Sequence, residues 1–142
     1  MSQSWIFWSL LSALFAGATA VLAKVGVAGI DSNLATAIRT TVVLAFAWAI
    51  ALLTSRPFSL SALQGRTWLF LGLSGLATGL SWLCYFRALQ LGQASQVAPI
   101  DKLSVVFVLV FAATFLHEPL TLRSGVGGFL IVAGAIVLAW KA

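Results

Sequence analysis

The chain has 142 residues, of which 61% are hydrophobic and only 8% are charged, with a net charge of +5. Soluble domains carry roughly 25% charged residues, so this composition excludes a water-covered globular domain and predicts lipid as the solvent. The eight Lys and Arg residues stand singly, which excludes the continuous basic surface of a nucleic-acid-binding protein. The single cysteine, Cys84, excludes an internal disulfide and a cysteine-based zinc site.

Five apolar segments with short connections predict an all-α integral membrane protein. The predicted spans are 5–23, 34–53, 67–89, 98–116 and 124–140. About 20 apolar residues cross a hydrocarbon core roughly 30 Å thick. The longest hydrophilic linker, 54–66, is too short for a soluble domain. Residues 1–142 are therefore predicted to form one transmembrane domain.

The first two spans carry one basic residue each near their connection. Lys24 closes the first span, and the turn that follows offers Asp31, Ser32 or Asn33 as the N-cap of the second. Arg39 lies one to two turns inside the second span. Its long side chain could return to the interface, or it could line a path through the membrane.

The third span combines two stripes. Its glycines include a GxxxG step, which allows a neighbouring helix to approach closely. Ser74, Thr78, Ser81 and Tyr85 recur at steps of four, three and four and form a hydroxyl-bearing face. Trp82 adjoins that face, away from the interfacial belt where tryptophan is usual.

Residues 81–120 carry Arg87, Asp101 and Lys102 where hydrocarbon is expected. A charge at the bilayer centre costs at least about 2.5–3.5 kcal/mol, so such residues usually face the bundle interior or water. Asp101 could bind a proton or a cationic group, with Lys102 offsetting it or meeting an anion; alternatively both reach the membrane interface. Arg87 is expected to pair with Asp101, to hold a carboxylate or phosphate, or to reach the interface.

The sequence from Trp82 onward resembles the EamA domain of the drug/metabolite transporter superfamily. The resemblance rests on the aromatic helix end that begins at Trp82, the small-polar link 92–100, the Glu118-Pro-Leu-Thr turn and the glycine-bearing last helix. It implies one five-helix repeat of a family that commonly has two inverted repeats. It also implies a substrate path between repeats, and hence a dimer for a chain with one repeat. The charges at Asp101 and Lys102 depart from the family's usual pattern, so no general site is carried onto them.

Substrate-binding or path-lining residues are predicted on three of the spans. They are Arg39, Ser74, Thr78, Ser81, Trp82, Tyr85, Arg87, Asp101 and Lys102. Trp82 and Tyr85 could stack on a substrate, for example through a cation–π contact, or could simply pack. Lys24 is expected at the interface or, alternatively, along the path. His117 is expected in a loop, with proton handling beside Glu118 as the alternative, and Cys84 in apolar packing.

The predicted function is transport of a small metabolite or drug-like solute by alternating access, as a homodimer and with coupling to protons through Asp101. No nucleophile–base pair, phosphate loop or metal-ligand cluster is present in the sequence, so neither an enzyme nor a cofactor is predicted. The expected partners are a small-molecule substrate, the lipid bilayer and a second copy, with no nucleic acid. The expected location is the inner membrane of a bacterial or archaeal cell.

The distribution of basic residues does not fix the orientation. Three basic residues flank the N-terminal side and five the other, but three of those five lie within spans. Such a weak bias permits both orientations, and two oppositely inserted copies would form an antiparallel dimer. The alternatives are a single orientation, a non-transporting partner subunit, and half of a flippase for lipid-linked sugars.

Overall fold

A computed structural model of the chain describes residues 4–54 and 64–140, and all regular structure within these ranges is α-helical. The helices are α1 (Ser4–Gly26), α2 (Ser32–Thr54), α3 (Gly65–Leu91), α4 (Ala94–Asp101), α5 (Ser104–Phe115) and α6 (Leu122–Ala139). Most of the predicted linker 54–66, residues 55–63, lies outside the described residues.

Five segments of the described chain are long and apolar enough to cross a membrane. They are Trp5–Gly26, Ser32–Thr54, Gly65–Leu91, Ala94–Phe115 and Leu122–Ala139. Their lengths of 18 to 27 residues correspond to about 27–40 Å of helix at 1.5 Å per residue. The prediction of an all-α protein with five transmembrane helices is confirmed.

The fourth span begins earlier than its predicted bounds, 98–116, and is divided in two. Lys102 N–H donates to the carbonyls of Ala98 at 3.3 Å and Pro99 at 3.1 Å, and Leu103 N–H donates to Ile100 O at 3.0 Å. Bonds between residues three apart are those of a 3₁₀ turn, which within a longer helix often marks a hinge. The interruption falls directly after Asp101, the residue at which α4 ends.

Local capping accounts for the starts of α2 and α6. Asp31 Oδ1 accepts from the backbone N–H groups of Asn33 at 2.9 Å and Leu34 at 3.0 Å, so Asp31 is the N-cap among the three predicted candidates. Thr121 and Ser124 form a reciprocal capping box at α6. The fifth span therefore begins at Leu122 and not at Ser124, its predicted first residue.

The described chain forms two compact units, one of residues 26–90 and one of residues 1–25 with 91–142. In the first, Gln90 Nε2 donates to Ile30 O at 2.6 Å, which ties the end of α3 to the turn before α2. In the second, α6 packs against α4 and α5, and Lys24 Nζ donates to Gly92 O at 2.7 Å. The interpretation of residues 1–142 as a single domain stays a prediction.

The described surface is mainly apolar. Leu22 is 71% exposed and Leu53 is 82% exposed, and large aliphatic and aromatic side chains are exposed on every span. The buried apolar residues are few and partly small, as Ala20, Ala35 and Ala135 illustrate. Exposing so much apolar area to water is unfavourable by about 25 cal/mol per Å², so lipid and neighbouring helices must cover it.

Candidate functional site

Two aromatic rings of α3 hold the one basic side chain of α2. The guanidinium carbon Cζ of Arg39 lies 4.3 Å from the ring centroid of Trp82 and 5.4 Å from that of Phe86. Trp82 and Phe86 are four residues apart, so their side chains share one face of α3. Both distances are within the roughly 6 Å of a cation–π contact. The sequence predicted Arg39 and Trp82 as separate site residues, and the structure brings them together.

Two threonines near Arg39 satisfy their hydroxyl groups within α2. Thr36 Oγ1 donates to Ser32 O at 2.8 Å, and Thr40 Oγ1 donates to Thr36 O at 2.7 Å. These threonines use their hydroxyl hydrogens within α2. No ion pair joins the Arg39 guanidinium to another residue of the described ranges. Arg39 is half-buried, so part of the residue stays accessible.

Phe86 is the member of this group that sequence reasoning missed. It is 3% exposed and has no polar atom, so it carried no chemical signal of its own. Its spacing from Trp82 is the signal that was available, because aromatic residues four apart on a helix form a continuous platform. Gln90 was also missed, although an amide near a helix end commonly ties two segments together.

Arg87 lies on the same helix but has a different role in the described structure. Its Nη1 donates to Gln90 Oε1 at 3.0 Å, and Gln90 in turn holds Ile30. Arg87 is exposed and belongs to the unit of residues 26–90, whereas Asp101 belongs to the other. The predicted pair of Arg87 with Asp101 stays a prediction.

Asp101 and Lys102 form an ion pair at the interruption of the fourth span. Lys102 Nζ lies 3.6 Å from Asp101 Oδ2, and the side chains of Lys102 and Asp101 are 58% and 38% exposed. The pair lies about 10 Å inside the start of α4, at 1.5 Å per residue. Such a position within an apolar span makes contact with bare hydrocarbon costly, so these side chains require water, headgroups or a protein partner.

The predicted hydroxyl face of α3 is accessible over most of its length. Ser74, Thr78 and Ser81 are exposed and Tyr85 is half-buried. Thr78 Oγ1 donates to Ser74 O at 2.9 Å, so its hydroxyl hydrogen is engaged within the helix. Added Cβ atoms at the glycines of the GxxxG step would meet no atom of the described chain within 4 Å.

The remaining polar candidates lie apart from these groups. His117 adopts a φ of 55° in the connection between α5 and α6, where the sequence predicted a loop residue. Cys84 is exposed, so its predicted apolar packing would have to involve lipid or another helix. Within the described ranges, no group of three or more His, Cys, Asp and Glu residues could hold a metal ion.

Five described helical segments that are long and apolar enough to cross a membrane define an integral, multi-pass membrane protein. The model of the EamA-like transporter family matches residues 3–140. The chain therefore belongs to the EamA-like transporter family, within the drug/metabolite transporter superfamily. It is a membrane transporter, and the family match extends the resemblance from the C-terminal half to nearly the whole chain.

Relatives agree with this assignment. An uncharacterized transporter in the cobO 3′ region of Sinorhizobium sp. is 59% identical over 139 residues, which cover 98% of this chain and 99% of that protein. The uncharacterized transporter YvbV of Bacillus subtilis is 38% identical over 66 residues, 46% of this chain and 21% of that protein. No solved structure shows a significant match. These bacterial relatives support the predicted inner-membrane location.

A third relative is named with a substrate. The probable 4-amino-4-deoxy-L-arabinose-phosphoundecaprenol flippase subunit ArnE of Enterobacter sp. (strain 638) is 36% identical over 77 residues. The match covers 54% of this chain and 72% of that protein.

Proposed function

We propose that the chain is one half of a homodimeric transporter that moves a small polar solute by alternating access. The observation that carries the proposal is the accessible Asp101–Lys102 pair at the interruption of an otherwise apolar span. A single chain of the described extent leaves this pair uncovered. A second copy would supply a wall, and the enclosed water would solvate both charges.

The lengths of the relatives support a second copy. The Sinorhizobium relative is matched over 99% of its length, so it too has room for one five-helix repeat. The 66 matched residues are only 21% of the Bacillus relative, which is therefore more than twice as long as this chain. A longer chain could hold both repeats that surround a central path. A chain with one repeat would reach the same arrangement by pairing with a copy of itself.

Asp101 is proposed as the proton-coupling residue. A carboxylate can take up and release a proton. The adjacent 3₁₀ turn could serve as a hinge, so a change in protonation would be able to move α4 relative to α5. Lys102, 3.6 Å away, would stabilise the charged form. The Ser74, Thr78 and Ser81 hydroxyls, with Tyr85 and Arg87, are proposed as further path-lining groups.

Transport by the reconstituted chain tests this proposal. Proteoliposomes would be given a pH gradient and radiolabelled citrate, glutamate or glucose 6-phosphate. Asp101→Asn should reduce gradient-driven uptake at least about tenfold and leave exchange without a gradient measurable, because asparagine cannot take up a proton. Glu118→Gln is the matched control, since Glu118 is exposed in a connection outside the spans, and its uptake should equal that of the wild type.

Two results would contradict the proposal. Equal gradient-driven uptake by Asp101→Asn and the wild type would remove proton coupling through Asp101. If neither the wild type nor the variants take up any probe, and the chain is monomeric in the vesicles, the result would favour a non-transporting partner subunit.

A second candidate function is half of a flippase for a lipid-linked sugar phosphate. It is favoured by the 36% identity to the ArnE subunit, whose name specifies such a lipid. In vesicles that hold a fluorescent polyprenyl-phosphate sugar in one leaflet, chain-dependent movement to the other leaflet would support this candidate. Movement of soluble probes alone would exclude it.

A further inference from the structure

The guanidinium of Arg39 lies against two aromatic rings, and these rings supply no oxygen acceptor. Its Cζ lies 4.3 Å from the Trp82 ring centroid and 5.4 Å from that of Phe86. Aromatic faces stabilise a cation electrostatically, but they do not accept in-plane N–H hydrogen bonds as an oxygen does. Among the described residues the guanidinium forms no ion pair, and Tyr85 is the oxygen-bearing side chain that interacts with it electrostatically.

The position of the group argues against a side chain that merely returns to the interface. Arg39 lies seven residues after Ser32, the first residue of α2, or about 10 Å along the helix. Phe86 is nearer than Trp82 to Leu91, where α3 ends. The guanidinium lies closer to Trp82, the ring farther from that end. It therefore stays with the inner ring instead of extending past the outer one.

A permanently charged group at this depth needs an oxygen partner. Polar groups removed from water are unfavourable when their hydrogen bonds are unmade. Arginine remains protonated, and its planar donors match the two oxygens of a carboxylate or phosphate. Since Trp82 is already covered by Arg39, that face of the ring is not available to a cationic ligand, which the positive charge would also repel.

We infer that Arg39, positioned on Trp82 and Phe86, binds the oxyanion group of the transported solute, either a carboxylate or a phosphate. This inference rests on the proposed transport function and adds a substrate class to it. Arg39 would contact the anion directly. Trp82 and Phe86 would act as positioning residues that fix the guanidinium and leave its N–H edge toward the ligand.

The chain contains a matched control for this arrangement. Arg66 lies with its Cζ 5.6 Å from the ring centroid of Phe70, at the other end of α3. It repeats the contact of a guanidinium with an aromatic ring, but it lies in the first turn of the helix and is exposed. Arg66→Gln therefore removes a comparable contact without removing a side chain held inside the span.

Ligand-dependent thermal stability of the purified full chain in nanodiscs tests the inference without requiring transport. The probes are citrate, glucose 6-phosphate and undecaprenyl phosphate, with putrescine as a cationic probe. A ligand that binds only the folded protein raises Tm as its concentration exceeds Kd. The wild type and Arg66→Gln should show the same anion-dependent rise in Tm and none with putrescine.

Variants of the group should weaken anion binding in a defined order. Arg39→Gln should abolish the anion-dependent rise, and Arg39→Lys, which keeps the charge but loses the planar donors, should raise the apparent Kd at least about tenfold. Trp82→Leu should raise it by about tenfold or less, because the donor group remains. Response to glucose 6-phosphate or citrate indicates a soluble anion, and response to undecaprenyl phosphate alone indicates a lipid-linked one.

The outcomes separate this inference from the proposed function. Equal apparent Kd values for the wild type, Arg39→Gln and Arg39→Lys would overturn the inference, even if the ligand-free Tm falls, because the contact would then serve only to pack α2 on α3. Anion binding that depends on Arg39 in a chain without uptake would retain the site and reject transport by this chain alone. Uptake that continues in Arg39→Gln with unchanged half-saturation would retain transport and reject the site.

Discussion

At the scale of single residues, the side chains of Asp31 and Thr121 act as helix N-caps. Asp31 accepts from two backbone N–H groups at the start of α2, and Thr121 exchanges bonds with Ser124 at the start of α6. The first four N–H groups of a helix lack partners within it. In an apolar chain these caps also set where each span begins.

Thr121→Ala tests the contribution of the α6 cap. It should lower the free energy of unfolding by about 1 kcal/mol, the typical loss when an N-cap threonine becomes alanine. The measurement is denaturant-induced unfolding in detergent, followed by circular dichroism. Thr114→Ala is the control, because the Thr114 hydroxyl donates only to carbonyls of its own helix, such as Val110 O at 2.9 Å. Equal losses for the two variants would contradict a specific capping role.

The role of Arg39 depends on the residues that contact it. By itself, a basic residue inside a span can be an interfacial anchor or a binding group. Contact with Trp82 and Phe86 restricts its position without supplying an acceptor. That combination is the physical basis for the proposed preference for carboxylates and phosphates.

At the scale of elements, the close contact of α5 with α6 depends on one glycine. A Cβ built on Gly128 would lie 3.1 Å from Leu109 Cδ1, whereas Cβ atoms at the neighbouring glycines of α6 would meet no described atom within 4 Å. Gly128 is buried. The packing of these two helices therefore requires a small residue at this position, as is common between membrane helices.

Gly128→Leu should destabilise the chain by about 1–3 kcal/mol, because a large side chain would have to displace Leu109. Thermal unfolding in nanodiscs measures the effect. Gly125→Leu adds the same side chain where no described atom lies within 4 Å and should change stability by less than about 0.5 kcal/mol. Leu109→Ala should restore part of the stability of Gly128→Leu; no restoration would show that the clash lies elsewhere.

The 3₁₀ turn that interrupts the fourth span also bears on the proposed function. A continuous helix would fix Asp101 and Lys102 relative to everything on either side of them. The 3₁₀ turn after Asp101 instead separates α4 from α5 at the charged pair. Under the proposed mechanism, protonation of Asp101 would act at this junction.

At the scale of the whole molecule, the described chain exposes both a large apolar surface and the Asp101–Lys102 pair. Lipid can cover the apolar side chains, but it covers an ion pair poorly. The weak asymmetry of basic residues allows two orientations in the membrane. These properties together favour a dimer, with the antiparallel form as its inverted-repeat version.

Orientation mapping tests the antiparallel form. Reporters active on only one side of the membrane would be fused after Ala142, and both a periplasmic and a cytoplasmic reporter should give signal. Adding three lysines after Ala142 should fix one orientation and reduce uptake, while mixing with an oppositely biased copy should restore it. Signal from one side only, with full uptake, would exclude the antiparallel dimer and leave the parallel dimer or the monomer.

The sequence by itself determined the solvent, the number of spans and the family. These follow from composition and from apolar runs of a length fixed by the bilayer, and such properties do not depend on which helices meet. The sequence also indicated Arg39, Trp82, Asp101 and Lys102 as residues out of place in hydrocarbon. It left each with at least two interpretations, because the cost of a buried charge depends on its surroundings.

Only the tertiary structure decided which of these residues meet. It placed Arg39 against Trp82 and the unremarkable Phe86, although more than 40 residues separate them in the chain. It also divided the fourth span after Asp101. The sequence did not reveal this division, because a 3₁₀ turn changes the spacing of hydrogen bonds and leaves the hydropathy of the segment unchanged. Contacts between distant residues and local departures from helical bonding arise from packing, and packing is not encoded in any single stretch of sequence.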